Sequence, residues 1–418
     1  MHVDRERLRR DITETGAFGA VETDEGHGRT VLTGSEADRD AREYLVDALE
    51  AAGMDVRVDP VGNVAGRWVP DGVDPDTGAV ALGSHLDSVP RGGIFDGPLG
   101  VYGALEAVRA IRASDRDPAR PIEVVSFTEE EGGRFGIGTL GSSVAAGDLS
   151  VEAALSLEDD EGKTLADRLS AIGFRGEDRV DPAGWDAWLE LHIEQGTRLE
   201  TAGASVGIVG AITGITNCRV VIEGTADHAG STPMDQRTDA LVAAGAFVQR
   251  VSDIASTVAA EHPAAVATVG KHVVEPNVRN VIPGRVTMEL DIRGISHETM
   301  AELVDRIRTA LDDVARDQSV TVTLDRFRDD APTQMSDRCV AAATGAAAAA
   351  DLTAEQFHSA AMHDTAKVGR VTDAGLLFAP SEGGVSHSPR EWTDWDDCAA
   401  ATRALAGSAA RLAGADST

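Results

Sequence analysis

The chain has 418 residues, enough for two domains and a sizeable core, and its 70 acidic side chains against 38 basic ones leave a net charge of −32. Such a charge repels phosphate and argues against a nucleic-acid partner. No apolar run is long enough to read as a membrane span, and the charged opening MHVDRERLRRDI is not a signal peptide, so a soluble, cytoplasmic protein is expected.

The acids are spread through every segment, and the only lysines are Lys163, Lys271 and Lys367. Even spreading with few lysines reads as adaptation to high salt, where a hydrated acidic surface keeps a protein soluble. It also makes any single acidic run weak evidence of a site. The three cysteines, Cys218, Cys339 and Cys398, are too scattered for a disulfide framework or a thiolate metal site.

In chain order, AVALGSH (79–85) reads as a buried strand that ends on His85. Asp87 follows two residues later and Asp96, in the turn-forming string GIFDGPLG, eleven residues after the histidine. Residues 99–113 read as a helix with an apolar face, and PIEVVSFTEE (121–130) as the next strand, running into Glu129, Glu130 and Glu131. LELHIEQG then supplies His192 and Gln195. From about Thr213 a second module is expected: strand 217–224, helix 237–256, strands 265–273 and 284–293, helix 296–317 with Ser296 as N-cap, and strand 319–327. That order is the β-α-β-β-α-β of a ferredoxin-like unit. The alanine-rich run 341–350 is a helix, GGVSHSPRE (383–391) carries His387, and a last helix spans about 397–412.

The whole alternates strands and helices, the α/β signature, with candidate ligands at the ends of strands. Imidazole nitrogens and carboxylate oxygens from separate strand ends suit a pair of zinc-like divalent ions, one carboxylate bridging them. A further glutamate left off the metals can act as a general base. Asp87 shares a face with His85 and is expected to accept the proton of its unligated ring nitrogen.

These strings resemble the M20 family of metallopeptidases and amidohydrolases, in particular its branch of N-carbamoyl-L-amino-acid hydrolases, β-ureidopropionases and allantoate amidohydrolases. H-x-D, an aspartate eleven residues after the histidine, E-E-G, HIEQG, D-H-A-G-S-T-P-M, N-V-I-P-G and H-S-P-x-E occur here in that order. The resemblance implies a mixed-sheet zinc-hydrolase catalytic domain (residues 1–212 and 329–418) interrupted by a ferredoxin-like dimerisation or lid domain (213–328). It implies two divalent ions per subunit, zinc first and manganese, cobalt or nickel as alternatives. Their ligands would be His85, Asp96 as the bridge, Glu131, His192 and His387. Matching Gly132 to the family's E-E-G makes Glu130 the base; a shift of one residue would exchange the glutamate roles. Gln195, Asn280 and Arg293 would contact the substrate, the last two through its carboxylate. His228 would stabilise the oxyanion from the partner subunit of a homodimer, with domain closure bringing these groups in. The implied reaction is hydrolysis of the ureido C–N bond of an N-carbamoyl-L-amino acid, with allantoate or ureidoglycolate as alternative substrates. An aminoacylase or dipeptidase ranks third, and a binding protein on a dead hydrolase fold would have lost a ligand or the base. In SAAMHDTAKV (359–368), Met362 stands where the family usually has glycine, and His363 and Asp364 are expected to pack or support rather than to bind metal.

Overall fold

The computed structural model describes residues 1–415 and divides the chain into two compact units, Met1–Gly210 with Gln334–Thr418, and Ala211–Thr333. The first is an α/β unit built on a nine-stranded mixed sheet. Four adjacent strands at its centre run parallel, in the order Ala374–Ala379, Ala187–Ile193, Val80–His85 and Ile122–Phe127. All four are buried at every position. Burial on both faces suits Val80–His85 and Ala374–Ala379, which are largely apolar, while Ile122–Phe127 and Ala187–Ile193 also bury Glu123 and Glu190. Val64–Trp68 and Asp55–Val58 extend one side antiparallel, and Val206–Ile212 pairs antiparallel with the other.

The helix Pro98–Arg112 is buried from Pro98 through Val108 and packs on the central strands together with Trp395–Leu412. Its entry depends on Gly97, which has φ +84° and whose absent Cβ would lie 2.6 Å from the His85 ring and carbonyl. A side chain there would be strained and would also displace His85. The turn that carries Asp96 is therefore pressed directly against the strand end that carries His85.

The second unit is a four-stranded antiparallel sheet in the order Val266–Glu275, Arg285–Gly294, Gly214–Glu223 and Thr321–Asp330, with helices Ala240–Glu261 and His297–Gln318. That is the ferredoxin-like arrangement expected from the element order. Ser296 caps its helix by accepting from the Thr299 N–H. The other helix starts at Ala240 rather than 237, because Asp239 caps it through the N–H groups of Leu241 and Val242. Arg237 instead folds back onto the carbonyls of Ala229 and Thr232 and braces the loop after His228.

In the first unit, Asp159 accepts from the N–H groups of Glu161 and Lys163 and pairs with Arg134 and Arg168. Burial works to raise its pKa, but the Lys163 N–H and the two guanidiniums outweigh it and hold the carboxyl at about 2. A depressed acid stabilises the fold above its unfolded pKa of about 3.9 and loses that contribution as pH falls through the folded value. The stability gap between wild type and Asp159→Asn, measured by urea denaturation, should be constant near neutrality and narrow as pH falls from about 4 towards about 2. A gap that widens in acid would contradict this assignment.

Candidate metal centre

The four parallel strands end on the same side of the sheet, and each leads into the site. His85 is the last residue of its strand, and His192 lies one residue from the end of the neighbouring one. The strand Ile122–Phe127 leads to Glu129–Glu131, and Ala374–Ala379 leads to His387. Parallel alignment converts dispersed sequence positions into one cluster at the carboxyl ends of the strands.

Asp96 is at the centre of that cluster. Its Oδ1 lies 3.0 Å from His192 Nε2 and 3.6 Å from His85 Nε2. Its Oδ2 lies 3.5 Å from His387 Nε2, which in turn is 3.2 Å from Glu131 Oε2. Among the described residues, His85, Asp96 and His192 form one group with metal-binding geometry, and Asp96, Glu131 and His387 form another. The two groups share Asp96, one oxygen facing each.

The histidine tautomers test whether this cluster fits a cation. His85 Nδ1 is 3.1 Å from the Asp87 carbonyl, and His192 Nδ1 is 3.0 Å from the Ile193 carbonyl. A carbonyl only accepts, so each Nδ1 must carry the proton, and in the neutral ring the lone pair sits on Nε2, facing Asp96. His85 Nε2 is buried with no hydrogen-bond partner. A buried, unpaired nitrogen aimed at a carboxylate pair is costly unless something electrophilic lies between them, so the donor set fits a divalent cation. Burial works to raise Asp96, but His192 and His85 outweigh it and hold its carboxyl well below the ordinary range. His192 is driven the other way by Asp96, to about 9 against the effect of its burial.

The acidic run divides cleanly. Glu129 has φ +56° and turns away, its Oε1 accepting from the N–H groups of Arg134 and Phe135 at 2.7 Å each. Glu131 belongs to the group with His387. Glu130 belongs to neither group; its Oε2 stands 3.8 Å from His85 Nε2. Burial pushes Glu130 well above the usual carboxyl range, against the charge of His85. His387 is also left-handed, at φ +54°, and its side chain is about half exposed (47 %), whereas His85 and His192 are buried. Backbone strain of this kind concentrates at functional sites.

Asp87 departs from expectation. Its carboxylate is 3.6 Å from His85 Nδ1, too far for a hydrogen bond, and its backbone carbonyl takes that proton instead. The carboxylate accepts from the N–H groups of Glu130 and Glu131, one per oxygen, at 3.1 Å each. Asp87 thus sets the backbone of the acidic run rather than the tautomer of the histidine. Gln195 donates from Nε2 to Asp96 Oδ2 at 3.2 Å.

Three expected residues lie in the second unit. His228 and Asn280 meet there: the Ala229 N–H donates to the Asn280 carbonyl, and His228 pairs with Val281 across a short ribbon. His228 Nδ1 accepts from the N–H groups of Gly230 and Ser231 at 2.9 and 3.1 Å. In the neutral ring the proton is then on Nε2, where it can be donated outward. Arg293 is engaged by the Asp291 carboxylate, Nε to Oδ1 at 2.8 Å.

Several further buried polar residues lie next to the cluster; Glu391 and Arg29 carried no assigned role in the sequence, whereas His363 and Asp364 were expected to pack or support. Glu391 accepts from the N–H groups of Phe95 and Asp96, and Arg29 donates to the carbonyls of Leu86 and Gly93. His363 packs edge-on against His192, ring centroids 4.5 Å apart, and Asp364 accepts from Ser142. Glu391 had one visible signal, its place at the end of HSPRE. Arg29 had none.

Residues 81–411 match the model of peptidase family M20/M25/M40. The chain belongs to that family. The M20 family is metal-dependent, in keeping with the two donor groups. Across 94 % of both chains it is 40 % identical to an N-carbamoyl-L-amino-acid amidohydrolase of Paenarthrobacter aurescens. It is 33 % identical to a ureidoglycolate hydrolase of Oryza sativa subsp. japonica, over 98 % of this chain and 85 % of that one. A crystal structure of a hydantoinase/carbamoylase family amidase from Burkholderia multivorans superposes with a TM-score of 0.89 at 34 % identity, covering 98 % of each chain. This M20 chain is thus a hydrolase of the amidohydrolase type. Among the described residues no helix is long and apolar enough to cross a membrane.

Proposed function

We propose that this M20 chain hydrolyses the ureido C–N bond of N-carbamoyl-L-amino acids, giving the amino acid, carbon dioxide and ammonia, with two divalent cations per subunit. The observation that carries the reading is Asp96, whose two oxygens each face a separate donor group. His85, Asp96 and His192 would hold one cation, and Asp96, Glu131 and His387 the other. Zinc is the cation we assign; manganese, cobalt and nickel also suit nitrogen and oxygen donors. When bound, the pair supplies an acidified water and positive charge at the scissile carbonyl.

The chain's own residues do the rest. Glu130, beside His85 but outside both donor groups, takes the proton of the attacking water and returns it to the leaving nitrogen. His228, its Nδ1 occupied by two backbone N–H groups, donates from Nε2 to the developing oxyanion. Asn280 and Arg293 hold the substrate carboxylate, which would replace Asp291 on the guanidinium fork. Gln195 lies against Asp96 and contacts the substrate there.

We further read residues 213–328 as the dimerisation and lid domain of a homodimer, with His228 acting across it. The strand Val266–Glu275 lies at one end of its sheet, and Val266, Val273, Leu241, Val242 and Val248 are exposed, an apolar surface that a second copy would cover. The even acidic surface supports a cytoplasm rich in salt.

The relative of Paenarthrobacter aurescens supports the carbamoyl substrate, and the rice relative keeps a ureidoglycolate reading as the second one, beside allantoate. A dead binding protein is disfavoured because every expected ligand and the base are present. Ammonia release should be measured at high salt with added zinc, manganese or cobalt, on a panel of N-carbamoyl-L-amino acids, ureidoglycolate and allantoate. N-Carbamoyl-L-amino acids should give the highest kcat/KM. A higher value for ureidoglycolate or allantoate would transfer the assignment, and no turnover on any of them would refute it.

A further inference from the structure

Asp96 can face two donor groups only if its backbone is held. Two buried side chains, Glu391 and Arg29, hold the turn 93–96. Glu391 is 1 % exposed, and its Oε1 accepts from the N–H of Phe95 at 2.8 Å and from that of Asp96 at 3.0 Å. The carboxylate lies so close to the turn that a Cβ on Gly93 would stand 2.2 Å from Oε1. Arg29 is fully buried, and its Nε donates to the Gly93 carbonyl of the same turn while Nη2 donates to the Leu86 carbonyl, one residue beyond His85; both distances are 3.1 Å. Arg29 thus ties the Asp96 turn to the His85 strand end. Glu391 stands four residues after His387, so it ties the same turn to the segment that carries His387.

Neither residue touches the donor atoms of the cluster. Glu391 Oε1 is the acceptor for two buried backbone N–H groups, and leaving such donors unpaired is costly. A buried guanidinium spanning two carbonyls fixes their separation, which a lysine could not do with one point charge. The geometry points to Glu391 as the positioning residue that presents Asp96 to both donor groups at once, with Arg29 holding the turn from its carbonyl side. The inference rests on the reading of Asp96 as a bridge. Partners at this remove typically change metal affinity or activity by about 10–100-fold.

Glu391→Ala removes the acceptor, and Glu391→Gln keeps an oxygen that can accept from both N–H groups. Two readouts keep this inference apart from the two-cation reading. The first is amide hydrogen exchange of the peptide covering 93–99 in metal-free protein. Glu391→Ala should speed exchange there at least about tenfold, and Glu391→Gln much less. The second is titration with cobalt, followed by its visible absorption. Wild type should take up two ions; Glu391→Ala should lose affinity by about 10–100-fold, with kcat falling more than KM rises, and Glu391→Gln should recover most of both. Unchanged exchange at 93–99 in Glu391→Ala overturns the positioning role, whatever cobalt does. Faster exchange with wild-type cobalt affinity and spectrum overturns it too, because the residue would then serve stability alone. Faster exchange in a protein whose wild type binds fewer than two cobalt ions would instead refute the bridge. If Glu391→Ala does not fold, Glu391→Asp, whose carboxylate is withdrawn by one methylene, takes its place and should show both effects.

Discussion

Glu130→Gln is expected to lower kcat by about 10²–10⁴-fold while leaving metal content unchanged. Its carboxylate is outside both donor groups, yet its Oε2 is 3.8 Å from His85 Nε2, so it borders the place where a water would be activated. Glutamine keeps the shape and removes the proton acceptor. Glu131→Gln should behave differently. Glu131 Oε2 is 3.2 Å from His387 Nε2, and its loss should release metal from that group. Elemental analysis alongside steady-state kinetics separates the two outcomes. If Glu130→Gln loses metal and Glu131→Gln keeps it, the two glutamates have exchanged roles.

His228→Ala should reduce kcat by about 10²–10³-fold, again without loss of metal. The Nε2–H imposed by Gly230 and Ser231 is a donor that matters most when charge develops on the carbonyl oxygen, so the loss should appear in kcat more than in KM. Mixing Glu130→Gln protein with His228→Ala protein asks whose His228 is used. If it acts across a homodimer, each hybrid has one intact site. Half the dimers are hybrids after full exchange, so activity should recover to about a quarter of wild type. No recovery after exchange is verified with labelled subunits would mean that His228 serves its own chain or has no part in turnover.

Much of the fold and the cluster was legible because the chain states them locally. Two of the four buried parallel strands, Val80–His85 and Ile122–Phe127, show as runs that lead into site residues, whereas Ala187–Ile193 and Ala374–Ala379 are not read as strands from the sequence. The β-α-β-β-α-β order of the second unit follows from periodicity and caps such as Ser296. What was not legible depends on backbone atoms brought together by the fold. Asp87 was expected to hold the His85 ring with its carboxylate; its own carbonyl does so, and the carboxylate turns to the Glu130 and Glu131 N–H groups. The start of helix Ala240–Glu261 moved because Asp239 caps it and Arg237 is drawn to the loop after His228. Arg29 makes its contacts to carbonyls, which have no side-chain signature in sequence. The Arg293 pair with Asp291 was foreseeable, since residues two apart on a strand share a face.

The two-cation centre depends on Asp96 serving both ions. Crystals grown with zinc, with diffraction data collected on either side of the zinc absorption edge, test this most directly. Two anomalous peaks should flank Asp96, one within about 2.0–2.2 Å of His85 and His192 nitrogens and the other at similar distances from Glu131 and His387. A single peak, or peaks only on the acidic surface with Asp96 unoccupied, would contradict it.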